Sequence, residues 1–250
     1  MLNFEAGEKT HKVAENWGEI KLSQAIAIME VVKEFPEALR ELYTLAGIEE
    51  QKERFNEIEA SFDDEHIYKI IPELYGRIIT IISDVSDDDI NLWPPNFRVL
   101  FYRQYVFNFV YGLVEMPDFK AEGLIDFEFK GETYFLPESR NIMGNVQPFA
   151  NVSALEFAEV ADMEIHSRKL ENGKYEAAAN IVAILCRPIG EDYDEQKALE
   201  RAETFFDLPM NIVWEVFFYS LSALVLWRQQ DLIYLMEAQL KENEPPHNLD

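Results

Sequence analysis

The sequence predicts a mainly α fold with a small β-hairpin: an α+β, multi-helix globular chain with helices in both halves around a central hairpin. Three observations lead there. Apolar residues recur at helical spacing through most of the chain, as in Ile67, Ile70, Ile71, Leu74, Ile78, Ile81 and Ile82. Strict alternation of apolar and polar residues is confined to Asp126–Pro137. The hydrophobic fraction of 48% and aromatic fraction of 13% are those of a globular protein. At 250 residues the chain is long enough to bury about 73% of its unfolded surface, in one large core or two modest ones.

Each element follows from local chemistry. After an extended start, Trp17–Ser23 reads as a short edge whose last residue caps a helix, since the Ser23 hydroxyl can accept an orphan backbone N–H. That helix runs from Gln24 to about Glu34, with Ile26, Ile28, Met29 and Val32 apolar, and Phe35-Pro36 interrupts it. Glu37–Ala46 forms a second helix that turns Leu39, Leu42, Tyr43 and Leu45 inward and stops at Gly47. Asp63-Asp64-Glu65 places negative charge at the start of a helix over His66–Ile82, which contains the kinking residue Pro72. Asp87-Asp88-Asp89 and Pro94-Pro95 bracket a loop. Phe97–Met116 is apolar nearly all round, which places a long helix at the centre of the fold.

Past Pro117 the period changes. Asp126–Pro137 is a hairpin with Lys130-Gly131-Glu132 as its tight turn. Ser153 and Glu156 form a capping box for a helix whose buried side is Leu155, Phe157, Ala158 and Ala161. Tyr175–Arg187 is an alanine-rich helix closed by Pro188. Asp194 opens another that runs to Phe206, and Leu208-Pro209 begins the last, through about Lys241. This divides the chain into an N-terminal helical region (1–120), a hairpin and connector (121–150), a C-terminal helical region (151–241) and a frayed acidic tail (242–250).

With Lys+Arg at 22 and Asp+Glu at 47, the net charge is −25, which argues against nucleic acid and anionic membranes as partners. The stretches Phe97–Met116 and Met210–Trp227 are just long enough to span hydrocarbon. The first carries Arg98 and Arg103 and the second Glu215, each costing about 2.5–3.5 kcal/mol at membrane depth, so buried helices of a soluble domain are expected. The segment Met1–Lys9 has neither a basic nor an apolar signal region. The single cysteine, Cys186, sits in the apolar run Ala179–Cys186 and reads as a small buried hydrophobe. A reducing cytoplasm is the expected compartment.

No reaction is written in the motifs. The chain has no Gly-x-Ser-x-Gly elbow, no Gly-x-Gly-x-x-Gly and no Walker loop. Two groups have metal-ligand spacing: Glu159, Asp162 and His166 on one helix, and Asp63 with His66 at i,i+3. With 47 acidic residues a carboxylate near a histidine is expected by chance, so solvated helix faces are the reading, with no metal and no cofactor. Glu215 stands among Ile212, Val213, Trp214, Val216, Phe217 and Phe218, an environment for a buried ion pair with Arg228, Arg98 or Arg103. The aromatic stripe Trp214, Phe217, Phe218, Tyr219 and Trp227 is either core or the lining of a partner groove. Trp214, Phe217, Phe218 and Trp227 are therefore the candidate partner interface.

One set of features has a wider likeness. It comprises the opening Trp17–Gln24, the helix end Tyr43–Ile48, the hairpin Phe129–Pro137, Ala183–Pro188, Glu191–Asp194, and Arg201–Met210 before the apolar Val213–Phe218. In this order they resemble small acidic proteins encoded among the tail genes of tailed phages, similar to tail assembly chaperones. The resemblance implies a non-catalytic factor in the host cytoplasm that coats a long helical tape-measure protein, recruits tube subunits and leaves before the virion matures. It carries no catalytic residues. A strongly acidic surface and an apolar helix groove suit that role physically. The alternatives are a permanent minor or connector component of the virion, an acidic nucleic-acid mimic, and a metallohydrolase using Glu159, Asp162 and His166. The sequence is compatible with a monomer or a homo-oligomer.

Overall fold

The computed structural model describes residues 1–6, 9–42, 48–107, 125–136, 140–142, 145–147, 158–163 and 173–216. It is mainly helical with a small antiparallel β component. Strand β1 (Leu2–Ala6) pairs with β2 (Lys9–Val13) in the register Leu2 opposite Val13 and Ala6 opposite Lys9. This hairpin lies in the extended start of the sequence. Its inward residues alternate, with His11 and Val13 buried on β2. The far side of β2 is stitched to the end of a later helix: Ala14 N–H donates to Ile82 O and Asp84 N–H to Lys12 O.

A 3₁₀ turn, Trp17–Glu19, leads to α1 (Leu22–Lys33). Ser23 lies inside this helix and is not its cap. Lys21 occupies that position, and Gln24 Oε1 accepts the Lys21 N–H at 2.9 Å. Leu22, Ala25, Ile28, Val31 and Val32 form its buried stripe. Helix α2 is Glu37–Leu42, with Leu39 buried, and the expected Tyr43, Leu45 and Gly47 lie outside the described residues. Helix α3 (Ile48–Ser61) is largely polar and anchors through Phe55 and Ile58.

The long apolar helix expected from His66 begins with a π turn, His66–Ile70, and continues as α4 (Ile71–Ile82). Pro72 explains the wider turn. It has no N–H to give, and an α turn would drive its ring into the preceding carbonyl. Asp63 caps the start, accepting the His66 N–H at 2.9 Å. The loop expected at Asp87–Asp89 is instead helix α5 (Asp87–Leu92): Ser86 Oγ accepts the Asp89 N–H at 3.1 Å, and three carboxylates occupy the favourable first turn. Pro95 starts α6 (Pro95–Phe101), and a second π turn follows, Tyr102–Val106. The start of this segment is not central to the fold as expected, because the apolar Phe97 and Leu100 face solvent.

The central hairpin is β3 (Asp126–Phe129) with β4 (Glu132–Phe135), and its two-residue turn holds Lys130 and Gly131 at φ 50° and 86°. A short pair, β5 (Arg140–Ile142) with β6 (Asn145–Gln147), comes next. Within the helical segment 158–163, Val160 is buried and Ala158 is exposed, contrary to the expected inward Ala158; Ser153 and Glu156 are outside the described residues. Helix α7 (Gly173–Leu185) ends at β7 (Arg187–Pro188), which adds a third strand beside β4. Asp194 caps α8 (Glu195–Phe205), its carboxylate accepting the Lys197 N–H at 3.0 Å, and a last helical segment covers 210–216.

Helix α1 packs on α4 and α7, α7 on α8, and α4 on α5 and α6. The start of α1 is tied to the other end of the described chain: Leu22 N–H donates to Leu208 O and Met210 N–H to Ile20 O. Buried side chains from both sides of the hairpin, among them Ile28, Ile78, Tyr102, Val182, Phe205 and Trp214, belong to one hydrophobic cluster.

Candidate docking groove

A cavity of about 620 Å³ lies between the β1–β2 hairpin and the α5–α6 connection. Local rules build both walls. Trp93 leaves α5 with an extended backbone because Pro94 follows it, and Pro95 restarts the chain as helix. The floor is aromatic. Trp93 meets Phe97 edge to face at 4.9 Å and Phe101 at 5.5 Å, while Phe4 lies 5.8 Å from Trp93 and stacks on His11 at 5.5 Å.

The rim is charged. Lys9 Nζ sits 2.5 Å from Asp89 Oδ1, and Ser86 donates its hydroxyl to Asp89 Oδ2 at 2.9 Å. The Lys9 ammonium, and then the Ser86 hydroxyl, hold the Asp89 carboxyl below the usual aspartate range. His11, at 5% exposure, has Nδ1 3.3 Å from Asp84 Oδ1, which also accepts the Lys12 N–H at 2.8 Å. Glu5 and Ala6 close the hairpin side. Leu92 is 82% exposed at the edge and Leu100 58% exposed one helical turn beyond Phe97. An apolar floor open to solvent beneath a mixed, mostly acidic rim is the anatomy of a binding surface.

Two smaller cavities have ion or hydrogen-bond pairs in their lining. One, about 260 Å³, contains Glu59 joined to Arg103, with the Tyr75 hydroxyl donating to Glu59 at 3.2 Å. The other, about 120 Å³, contains Glu159 accepting from the Tyr193 hydroxyl.

Of the interface residues expected from sequence, Trp214 is buried at 2% exposure, its ring edge-on to Tyr175 at 5.7 Å. Phe217, Phe218 and Trp227 lie outside the described residues. Glu215 is buried, and Arg228 is outside the described residues. Arg98 donates to Asn91 O at 3.3 Å. Asp63 and His66 form a local cap, with the ring Nδ1 2.7 Å from the carboxylate, and His166 is outside the described residues. Among the described residues no three His, Cys, Asp or Glu side chains converge to hold a metal ion. Cys186 is buried, and burial pushes its thiol well up. No helix among the described residues is long and apolar enough to cross a membrane.

The groove was missed because its walls are about eighty residues apart in sequence. Its one sequence signal is the apolar pair Phe97 and Leu100, set among Asn96, Arg98 and the prolines at the start of an expected core helix. Compared with known protein families, curated proteins and solved structures, the chain matches none.

Proposed function

We propose that this chain is a non-catalytic protein-interaction factor of phage tail morphogenesis, which binds and shields a long helical tail protein of the tape-measure type while the tail assembles in the host cytoplasm. The observation that carries the interaction reading is the groove, where exposed Leu92 and Phe97 line the wall beside Trp93, with Leu100 exposed one helical turn beyond. Monomer surfaces that group large apolar side chains in this way serve as contact sites for other proteins. The charge of −25 supports the same role, since self-repulsion keeps a sticky factor dispersed. The phage-tail assignment rests on the resemblance of the segments from Trp17–Gln24 to Arg201–Met210.

The test is purification of the tagged chain from phage-producing cells, with its complexes and the finished particles both analysed by mass spectrometry. The account expects a tail protein in the complexes and no bait in the particles. Bait in finished particles would make it a permanent virion component, and complexes without any tail protein would overturn the proposal.

A further inference from the structure

We infer that the groove between the β1–β2 hairpin and α5–α6 takes a lysine- or arginine-bearing apolar segment of a partner polypeptide, whose cationic head displaces Lys9 from Asp89. The inference rests on the interaction reading and adds the chemistry of the partner.

The lining is matched to such a side chain in two parts. Leu92, Phe97 and the edge of Trp93 give an apolar strip along which an alkyl stem can lie. Glu5 and Asp89 share this lining, with Asp87 and Asp88 exposed on the same first turn of α5 as Asp89. Among the described residues of the lining, Lys9 is the one basic side chain apart from His11, and its ammonium is already engaged with Asp89 at 2.5 Å. The Lys9 side chain is 63% exposed and that of Asp89 20%, so the cation of this pair stands in solvent and can be exchanged for another. The hairpin thus presents an internal copy of the ligand.

Charge also selects against other occupants. A second copy of the chain would bring −25 against −25, and nucleic acid or an anionic bilayer would meet the same acidic rim. A cationic segment gains from the field and fills the apolar strip.

Two synthetic 16-residue peptides test this on the full chain by titration calorimetry. Both carry the same leucine pattern; one has lysine and arginine at its polar positions and the other glutamate. The cationic peptide is expected to bind and the anionic one not. Leu92→Lys should weaken binding about tenfold, a loss of about 1.4 kcal/mol. Ile189→Lys makes the same change of charge at a residue 82% exposed in the turn after β7, and should leave affinity within about twofold. Lys9→Met should tighten binding at least about threefold, because the internal competitor is gone. Thermal melts confirm that each variant is folded.

Equal weakening by Leu92→Lys and Ile189→Lys would show attraction by net charge alone and overturn the inference. So would a Lys9→Met variant that binds no tighter, a cationic peptide that does not bind, or a dimer in sedimentation that Leu92→Lys dissolves. Should any of these occur while the chain still co-purifies with a tail protein, the groove chemistry falls and the assembly reading stands.

Discussion

The rings of Trp93 and Phe97 meet at 71° with their centroids 4.9 Å apart, and both line the candidate groove. Trp93 is almost wholly buried, braced by Phe4 and Phe101, whereas Phe97 is 36% exposed. One ring therefore supports the site and the other presents it. The two should separate by mutation. Trp93→Ala should cost about 3–5 kcal/mol of stability, as for other buried large-to-small changes. Leu92→Asn, at the solvent edge, should stay within about 0.5 kcal/mol while weakening partner binding. Urea denaturation beside a pull-down distinguishes them.

Arg201 is a buried polar anchor among the described residues of the C-terminal half. Its guanidinium is 9% exposed and donates to the carbonyls of Ala183 at 2.8 Å and Cys186 at 3.2 Å, which end α7, while also pairing with Glu191. It satisfies orphan carbonyls and puts a cation at the negative end of the helix. Arg201→Met should destabilise by about 3–5 kcal/mol, because Glu191 and the carbonyls are left without their donor. Arg201→Lys should recover only part, since an ammonium lacks the planar fork. Chemical denaturation midpoints give the comparison.

Tyr134 gives the chain an alkaline limit. Burial, and next the hydrogen bond to Glu132 at 2.8 Å, push its hydroxyl up from 10.0 to about 12. A folded-state value above the unfolded one means stability that is intact below pH 10 and is lost as pH rises toward 12. Tyr134→Phe removes the ionisable group and should flatten that part of the pH–stability curve. Thermal melts between pH 9 and about 12 measure it.

Asp207 provides the acid counterpart. The ammonium of Lys130 at 3.0 Å and that of Lys21 at 3.1 Å hold its carboxyl below the ordinary 3.8, tying the central hairpin and the start of α1 to the turn after α8. A depressed value means stability present above pH 3.8 and lost as the pH falls through the folded-state value. The three side chains are about half exposed, so the effect is small and screened. Asp207→Asn should reduce the slope of stability against pH below about 4, and salt should mimic it.

The hairpin turn tests backbone conformation alone. Gly131 has φ 86° with nothing within 4 Å of a Cβ built on it, so there is room for a methyl group but the backbone conformation disfavours it. Gly131→Ala should cost about 1–2 kcal/mol, read from a urea midpoint.

Where a local signal sufficed, the sequence reading and the structure agree. Asp194 caps α8, Pro188 follows the end of α7, and Lys130-Gly131 turns the central hairpin, each decided by residues within one turn. Signals that needed a partner were lost. β2 is Lys-Thr-His-Lys-Val, polar at the surface, and becomes a strand because Phe4 and Ser83–Asp84 lie beside it. β7 is two residues long and exists only by pairing with Tyr134 and Phe135. Asp87–Asp89 read as a charged loop, yet the acids are the first turn of α5, made helical by the Ser86 cap. Pro72 was legible as a disturbance, expected as a kink and met instead by a π turn immediately upstream. The expected interface at Trp214 followed from apolar spacing, which marks a buried face and a docking face alike; Tyr175 packs against that ring. The groove residues Lys9 and Asp89 belong to different elements, and no periodicity within either could join them.

The most direct measurement places a photo-crosslinking amino acid at Leu92, and separately at Ile189, in the chain as expressed in phage-producing cells. Both positions are 82% exposed, so they sample solvent equally and differ in their relation to the groove. The account predicts that the Leu92 probe captures one tail protein, through a segment rich in lysine or arginine, and that the Ile189 probe does not. Capture of the same protein at both positions, or none at Leu92 by a chain that still supports tail assembly, would contradict it.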